Sequence, residues 1–132
     1  MKHVNCNLLM AQIWLKYCSV YKFCFEDCSP HCYLKEKEIY FPIKRFQNPD
    51  KRDVFDMLHE IGHLETNSKG MKRCEEEYYA TKWAIQEMKK YGFDLGQKDK
   101  QIFQNYIWKW RETGLKLKAK NMPSKEELIL VW

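Results

Sequence analysis

Residues 50–65 read DKRDVFDMLHEIGHLE, and the period of this stretch decides what is built around it. At 100° per residue, Val54, Leu58 and Ile61 mark the middle of one helix face. Phe55, Met57, Gly62 and Leu64 widen that face to about half the circumference. His59, His63, Glu60 and Asp56 fill the other side. Asn48-Pro49-Asp50 supplies a helix start, and the loop at residues 66–70 ends it. A helix apolar over so broad an arc belongs in the interior, with its polar stripe opening into a cleft.

The stripe carries specific chemistry. Histidines four apart lie one turn above the other on the same face. Their ring nitrogens can reach one ion at about 2.0–2.1 Å. Glu60, one step round, is placed to take a proton from a water held by that ion rather than to chelate it. A catalytic zinc needs a third protein ligand and an open position. The candidates lie in residues 74–84, CEEEYYATKWA. Glu77 shares its face with Ala80, Thr81 and Ala84, small residues that would let two helices approach closely. Glu76 also faces Ala80 and is the alternative, while Glu75 points elsewhere. A glutamate triplet also suits a helix N-terminus by charge alone, so one can be a ligand while the others serve the dipole.

Outward from these two segments, residues 5–19 read as an amphipathic helix and residues 20–25 as a strand. Residues 26–30 are turn-like, and Glu38 to Phe41 is a short strand stopped by Pro42. Two or three strands should form one small sheet. The glutamate-bearing helix spans about Lys72 to Tyr91 and stops at Gly92. A further helix spans about Lys98 to Thr113 and stops at Gly114, with Ile102, Phe103, Tyr106, Ile107 and Trp110 as one core stripe. Ser124 to Glu127 has capping-box spacing and opens a last short helix to Trp132. The order implies an α+β fold, in one domain over residues 1–132.

The pair His59-Glu60-Ile61-Gly62-His63 and Glu77-x-x-Ala80-x-x-Trp83-Ala84 resembles the ImmA/IrrE family of small zinc metallopeptidases. The likeness covers the two central helices, perhaps 40 residues, and the preceding strand in general order. Thr81 stands where that family usually has Asn, and Trp83 where it has Phe. The resemblance implies a minimal zincin-like domain with Zn2+ on His59, His63 and Glu77 and Glu60 as catalytic base. It implies a zinc-dependent endopeptidase acting on a protein partner such as a repressor or regulator, in a phage or mobile-element setting. The substrate would lie extended along an edge strand near Glu38 to Phe41. Tyr78, Tyr79, Tyr40 and His31 are candidate oxyanion stabilisers. The alternative is a zinc-containing binding or regulatory protein of the same fold that acts without proteolysis.

Composition bounds these readings. The 132 residues are 45% hydrophobic and 31% charged, with five glycines and four prolines, a globular profile. The net charge of +5 is modest and concentrated only at Lys109, Arg111, Lys116, Lys118 and Lys120. That stretch is most simply a solvated helix end, and otherwise a docking patch for an acidic partner or nucleic acid. Trp108 and Trp110 alternate with Lys109 and Arg111, but helical spacing puts Trp110 in the core stripe, so direct nucleic-acid contact is not expected. The apolar run at residues 8–15 is followed by no small-x-small cleavage site and is too short to span a membrane. A cytoplasmic setting is therefore expected, with the six cysteines as thiols or metal ligands. Cys24, Cys28 and Cys32, with His31 and Cys18, offer the residue types of a second metal site but not the usual two-residue knuckle.

Overall fold

The computed structural model describes residues 4–131. Helix α1 (Cys6–Tyr17) is followed by strands β1 (Lys22–Glu26), β2 (His31–Tyr33) and β3 (Glu38–Pro42), then by helices α2 (Ile43–Gln47), α3 (Lys51–Thr66), α4 (Arg73–Lys90) and α5 (Gln97–Lys116). A 3-10 turn, Glu126–Leu128, lies near the end. The architecture is α+β, five helices around one mixed three-stranded sheet. No helix among the described residues is long and apolar enough to cross a membrane.

Helix α3 runs through the centre. Val54, Met57, Leu58 and Ile61 are fully buried. They pack with Met10 and Ile13 of α1 and with Ile39 and Phe41 of β3 in one apolar cluster. Its start is tied by a reciprocal cap: the Asp53 backbone N–H donates to Asp50 Oδ1 and the Asp50 N–H to Asp53 Oδ2, both at 2.9 Å. Arg45 of α2 pairs with both Asp53 and Asp56, anchoring that short helix to the first turns of α3.

Strand β3 is central, with the order β1-β3-β2. β1 runs parallel to it (Phe23 opposite Ile39) and β2 antiparallel (Cys32 opposite Ile39). Ile39 and Phe41 face the core, and Glu38 and Tyr40 face away, so β3 carries the alternation of a strand covered on one face. This overturns the expectation of a peptide laid along Glu38 to Phe41, because both edges of that strand already carry partners.

Three other expectations change. Helix α5 passes through Gly114 to Lys116. Its five-residue stripe divides: Ile107 alone is fully buried, whereas Ile102 and Tyr106 are exposed along a cleft. Glycine in a helix interior costs only about 1 kcal/mol, so it need not end one. The tail makes a single 3-10 turn instead of a helix, although both capping-box bonds of Ser124 and Glu127 form; Trp132 lies outside the described residues. Helix α5 captures the tail instead. Buried Gln104 donates to Leu128 O at 2.8 Å and accepts from Leu130 N–H at 2.7 Å, and Tyr78 donates to Ile129 O. Leu128 and Leu130 are buried as a result.

Candidate metal centre

The α3–α4 pair brings His59, His63 and Glu77 together. His59 Nε2 lies 3.0 Å and His63 Nε2 3.2 Å from Glu77 Oε2. One donor atom from each lies within 4.8 Å of the others, and all three residues are buried. Close approach of the helices makes this reach available. Gly62 faces the α4 backbone so tightly that a Cβ there would stand 2.7 Å from the Ala80 carbonyl oxygen. Ala80 and Ala84 are themselves fully buried.

Each glutamate of the triplet has its own task. Glu75 accepts the Lys72 backbone N–H at the helix start. Glu76 pairs with Arg73 and only lines the cleft. Glu77, 1% exposed, points inward. An unpaired carboxylate at that depth would cost several kcal/mol. Its Oε2 meets the two imidazoles and accepts from the Tyr106 phenol at 3.1 Å, while Oε1 pairs with Arg73 at 3.3 Å. Neither Tyr106 nor Arg73 stands out in sequence. Tyr106 reaches Glu77 from α5, a contact that packing decides, whereas Arg73 is four residues before Glu77 on α4, a spacing that pairs charges on a helix.

The electrostatics are those of a cation site. Burial disfavours charge on His59, but the Glu60 and Glu77 carboxylates outweigh it and raise the imidazole to about 9. Burial likewise favours neutral Glu77, yet His59 and His63 hold its carboxyl far below the usual carboxylate range. Burial and the Glu77 charge push the Tyr106 phenol above its ordinary range, so it keeps its proton and remains a donor. His59 Nε2 is close to Glu77 but meets no hydrogen-bond geometry with it. In metal-free protein this close contact is an ion pair between the raised imidazole and the carboxylate, and the same donor atoms gather round one point that a cation could occupy in place of the proton. Two nitrogens and a carboxylate oxygen are the donor set of a borderline cation such as zinc, so the residues fit a bound metal ion. His59 Nδ1 lies 3.3 Å from Glu60 Oε2. In neutral His59 a proton on Nδ1 shared with Glu60 leaves Nε2 free to ligate.

The three residues open on a cleft of about 600 Å3. Strand β2 forms one wall; Phe55, Ile102, Phe103 and Tyr106 form an apolar one. Of the four proposed oxyanion donors only His31 lines this cleft. Tyr78 is engaged with the tail, Tyr40 donates to Glu38, and Tyr79 packs edge-to-face against Tyr78 at the surface. Cys32, on the core side of β2, lines the cleft too. Burial and the nearby Glu60 and Glu77 charges push its thiol up to about 12, so it stays protonated.

Among the described residues, the other cysteines form no such group. All six are free. Thr81, at the position where the resembled family has Asn, is buried with its hydroxyl unpaired and holds no ligand. Set against protein-family models, curated proteins and solved structures, the chain matches none.

Proposed function

We propose that this chain is a zinc-dependent endopeptidase of the ImmA/IrrE type, a minimal zincin-like fold that cuts a protein partner such as a repressor or regulator. One observation carries the reading: three buried donors on two helices converge at the floor of an open cleft, with Glu60 beside them. His59, His63 and Glu77 would hold the ion. Zinc there would supply Lewis acidity, which acidifies water and polarises a carbonyl oxygen.

The remaining chemistry belongs to side chains. Glu60 is 8% exposed and lines the cleft beside the three donors. It accepts the proton of the attacking water and delivers it to the leaving amine. Tyr106 and Arg73 occupy both oxygens of Glu77 and keep that ligand from rotating. The substrate backbone has a suitable template in β2, the sheet edge that borders the cleft, where extended chains add by main-chain hydrogen bonding. The apolar wall of Phe55, Ile102 and Phe103 favours a large apolar side chain near the scissile bond.

The test digests a proteome-derived peptide library with zinc-loaded protein. New peptide termini are expected with the wild type and are expected to vanish with a chelator. Glu60→Gln should keep one equivalent of zinc and its fold but make no new termini. Cleavage continuing undiminished in that variant would falsify the mechanism.

A further inference from the structure

Arg73 lines a second cavity, of about 300 Å3, between the start of α4 and the end of α5. Its walls are Cys74, Trp110, Thr113, Gly114, Leu117 and Met122. Thr113 is the one polar neutral side chain among them, and no acidic side chain lines it. A cavity of this size lies at the low end of small-ligand sites and has room for one large apolar side chain. Leu117, at its mouth, is 78% exposed.

The cavity is flanked by basic residues. Lys72 lines the cavity, and Lys116, Lys118 and Lys120 alternate along the chain with its lining residues Leu117 and Ala119. None of these four lysines pairs with an acid among the described residues; the paired cation is Arg73, held by Glu76 and Glu77. The turn that presents them is itself unusual. Lys118 (φ 58°) and Asn121 (φ 56°) are left-handed, and Lys118 occupies the position after a helix where glycine is usual. Such a residue costs about 1 kcal/mol or more and persists only where surrounding contacts hold it.

From this we infer that the cavity docks an acidic segment of a partner protein. One large apolar side chain of the segment enters between Trp110 and Met122, and its Asp or Glu neighbours meet the unpaired lysines. An apolar hole bordered by Lys72 and Arg73, with Lys116, Lys118 and Lys120 in the same turn as its lining residues Leu117 and Ala119, fits this occupant better than a nucleic acid. One face of Trp110 is covered by Arg73 and one of Trp108 by Lys125, which reduces the platform for stacked bases. The site is adjacent to the metal centre, since Arg73 both borders it and pairs with Glu77, but docking requires no cleavage.

The experiment uses full-length, zinc-loaded Glu60→Gln protein against a displayed library of random 12-residue peptides, so that its result is independent of peptidase activity. Enriched sequences are expected to pair Phe, Trp or Leu with at least two Asp or Glu neighbours. A synthetic winner should lose at least about tenfold in affinity when Lys116, Lys118 and Lys120 become Glu, and should weaken steeply with salt. It should lose affinity as well when Thr113→Trp fills the cavity; Ala119→Trp, on the exposed turn, serves if that variant does not fold. Enrichment without acidic bias would overturn the inference, as would winners indifferent to both kinds of variant. A short DNA duplex that displaces the peptide in a lysine-dependent way would overturn it in favour of nucleic acid.

Discussion

Two regions of this molecule are rich in metal-type side chains, and only one brings three of them together. On α3 and α4, His59, His63 and Glu77 converge from a span of 19 positions of sequence. In the stretch from β1 to β2, Cys24, Cys28, His31 and Cys32 are packed into nine positions and form no such group among the described residues. The helix period explains the first: residues four apart share a face, and a second helix facing it needs only one donor at the right height. The strand period explains the second. Cys24 pairs with Tyr40 and Cys32 with Ile39, adjacent β3 residues on opposite faces of the sheet. The two cysteines also lie on opposite edges, with β3 between them. Density along the chain is therefore a poor guide to convergence, and periodicity is a good one.

The sharpest way to break this contrast is metal content. His63→Ala or Glu77→Ala should take bound zinc from about one equivalent to near zero, measured by elemental analysis. Cys24→Ser with Cys28→Ser should leave it unchanged. Metal surviving the first pair and lost with the second would reverse the assignment of the two regions.

A somewhat smaller effect lies in pH. In metal-free protein His59 is raised from 6.5 to about 9. Its contribution to stability is then complete below about pH 6.5 and is lost as pH rises through about 9. Zinc has to displace that proton, so its affinity should rise roughly tenfold per pH unit over this window. The thermal shift produced by zinc should widen from pH 6.5 toward 9. A flat profile would remove His59 from the ligand set.

The helix contact itself can be opened. Gly62→Ala gains helix propensity, but its Cβ would press on backbone atoms of Ala80, which no rotamer change relieves. A net loss of about 1–3 kcal/mol is expected in denaturant unfolding, with weakened zinc binding as Glu77 is pushed away. If stability rose with zinc binding intact, the close approach would not matter.

Least disruptive is Thr81→Val. Removing a buried hydroxyl that has no partner should be neutral or stabilising by up to about 1 kcal/mol, with zinc affinity untouched. A drop in affinity would mean that Thr81 steadies a ligand.

Much of the site was legible because its residues lie on helices long enough to reveal their period. The alternation of apolar and polar faces at residues 54–64 told where α3 would bury and where it would open. The small residues after Glu77 favoured it over Glu76, and the structure buries Glu77 while leaving Glu76 on the cleft wall. Tyr106 escaped because a tyrosine in an apolar stripe reads as core; it faces Glu77 only because α5 lies at the rim of α4. β2 escaped because three residues show too little alternation to be recognised.

The sequence alone determined the helix that carries the two histidines, the α+β order and the pool from which a third ligand could come, since these depend on local periods and caps. Strand order, which strand lies at the sheet edge, the capture of the tail by Gln104 and the contact of Tyr106 with Glu77 were decided by tertiary structure. Each is a contact between segments that approach only when the core closes, and no local preference encodes which neighbour a side chain will find there.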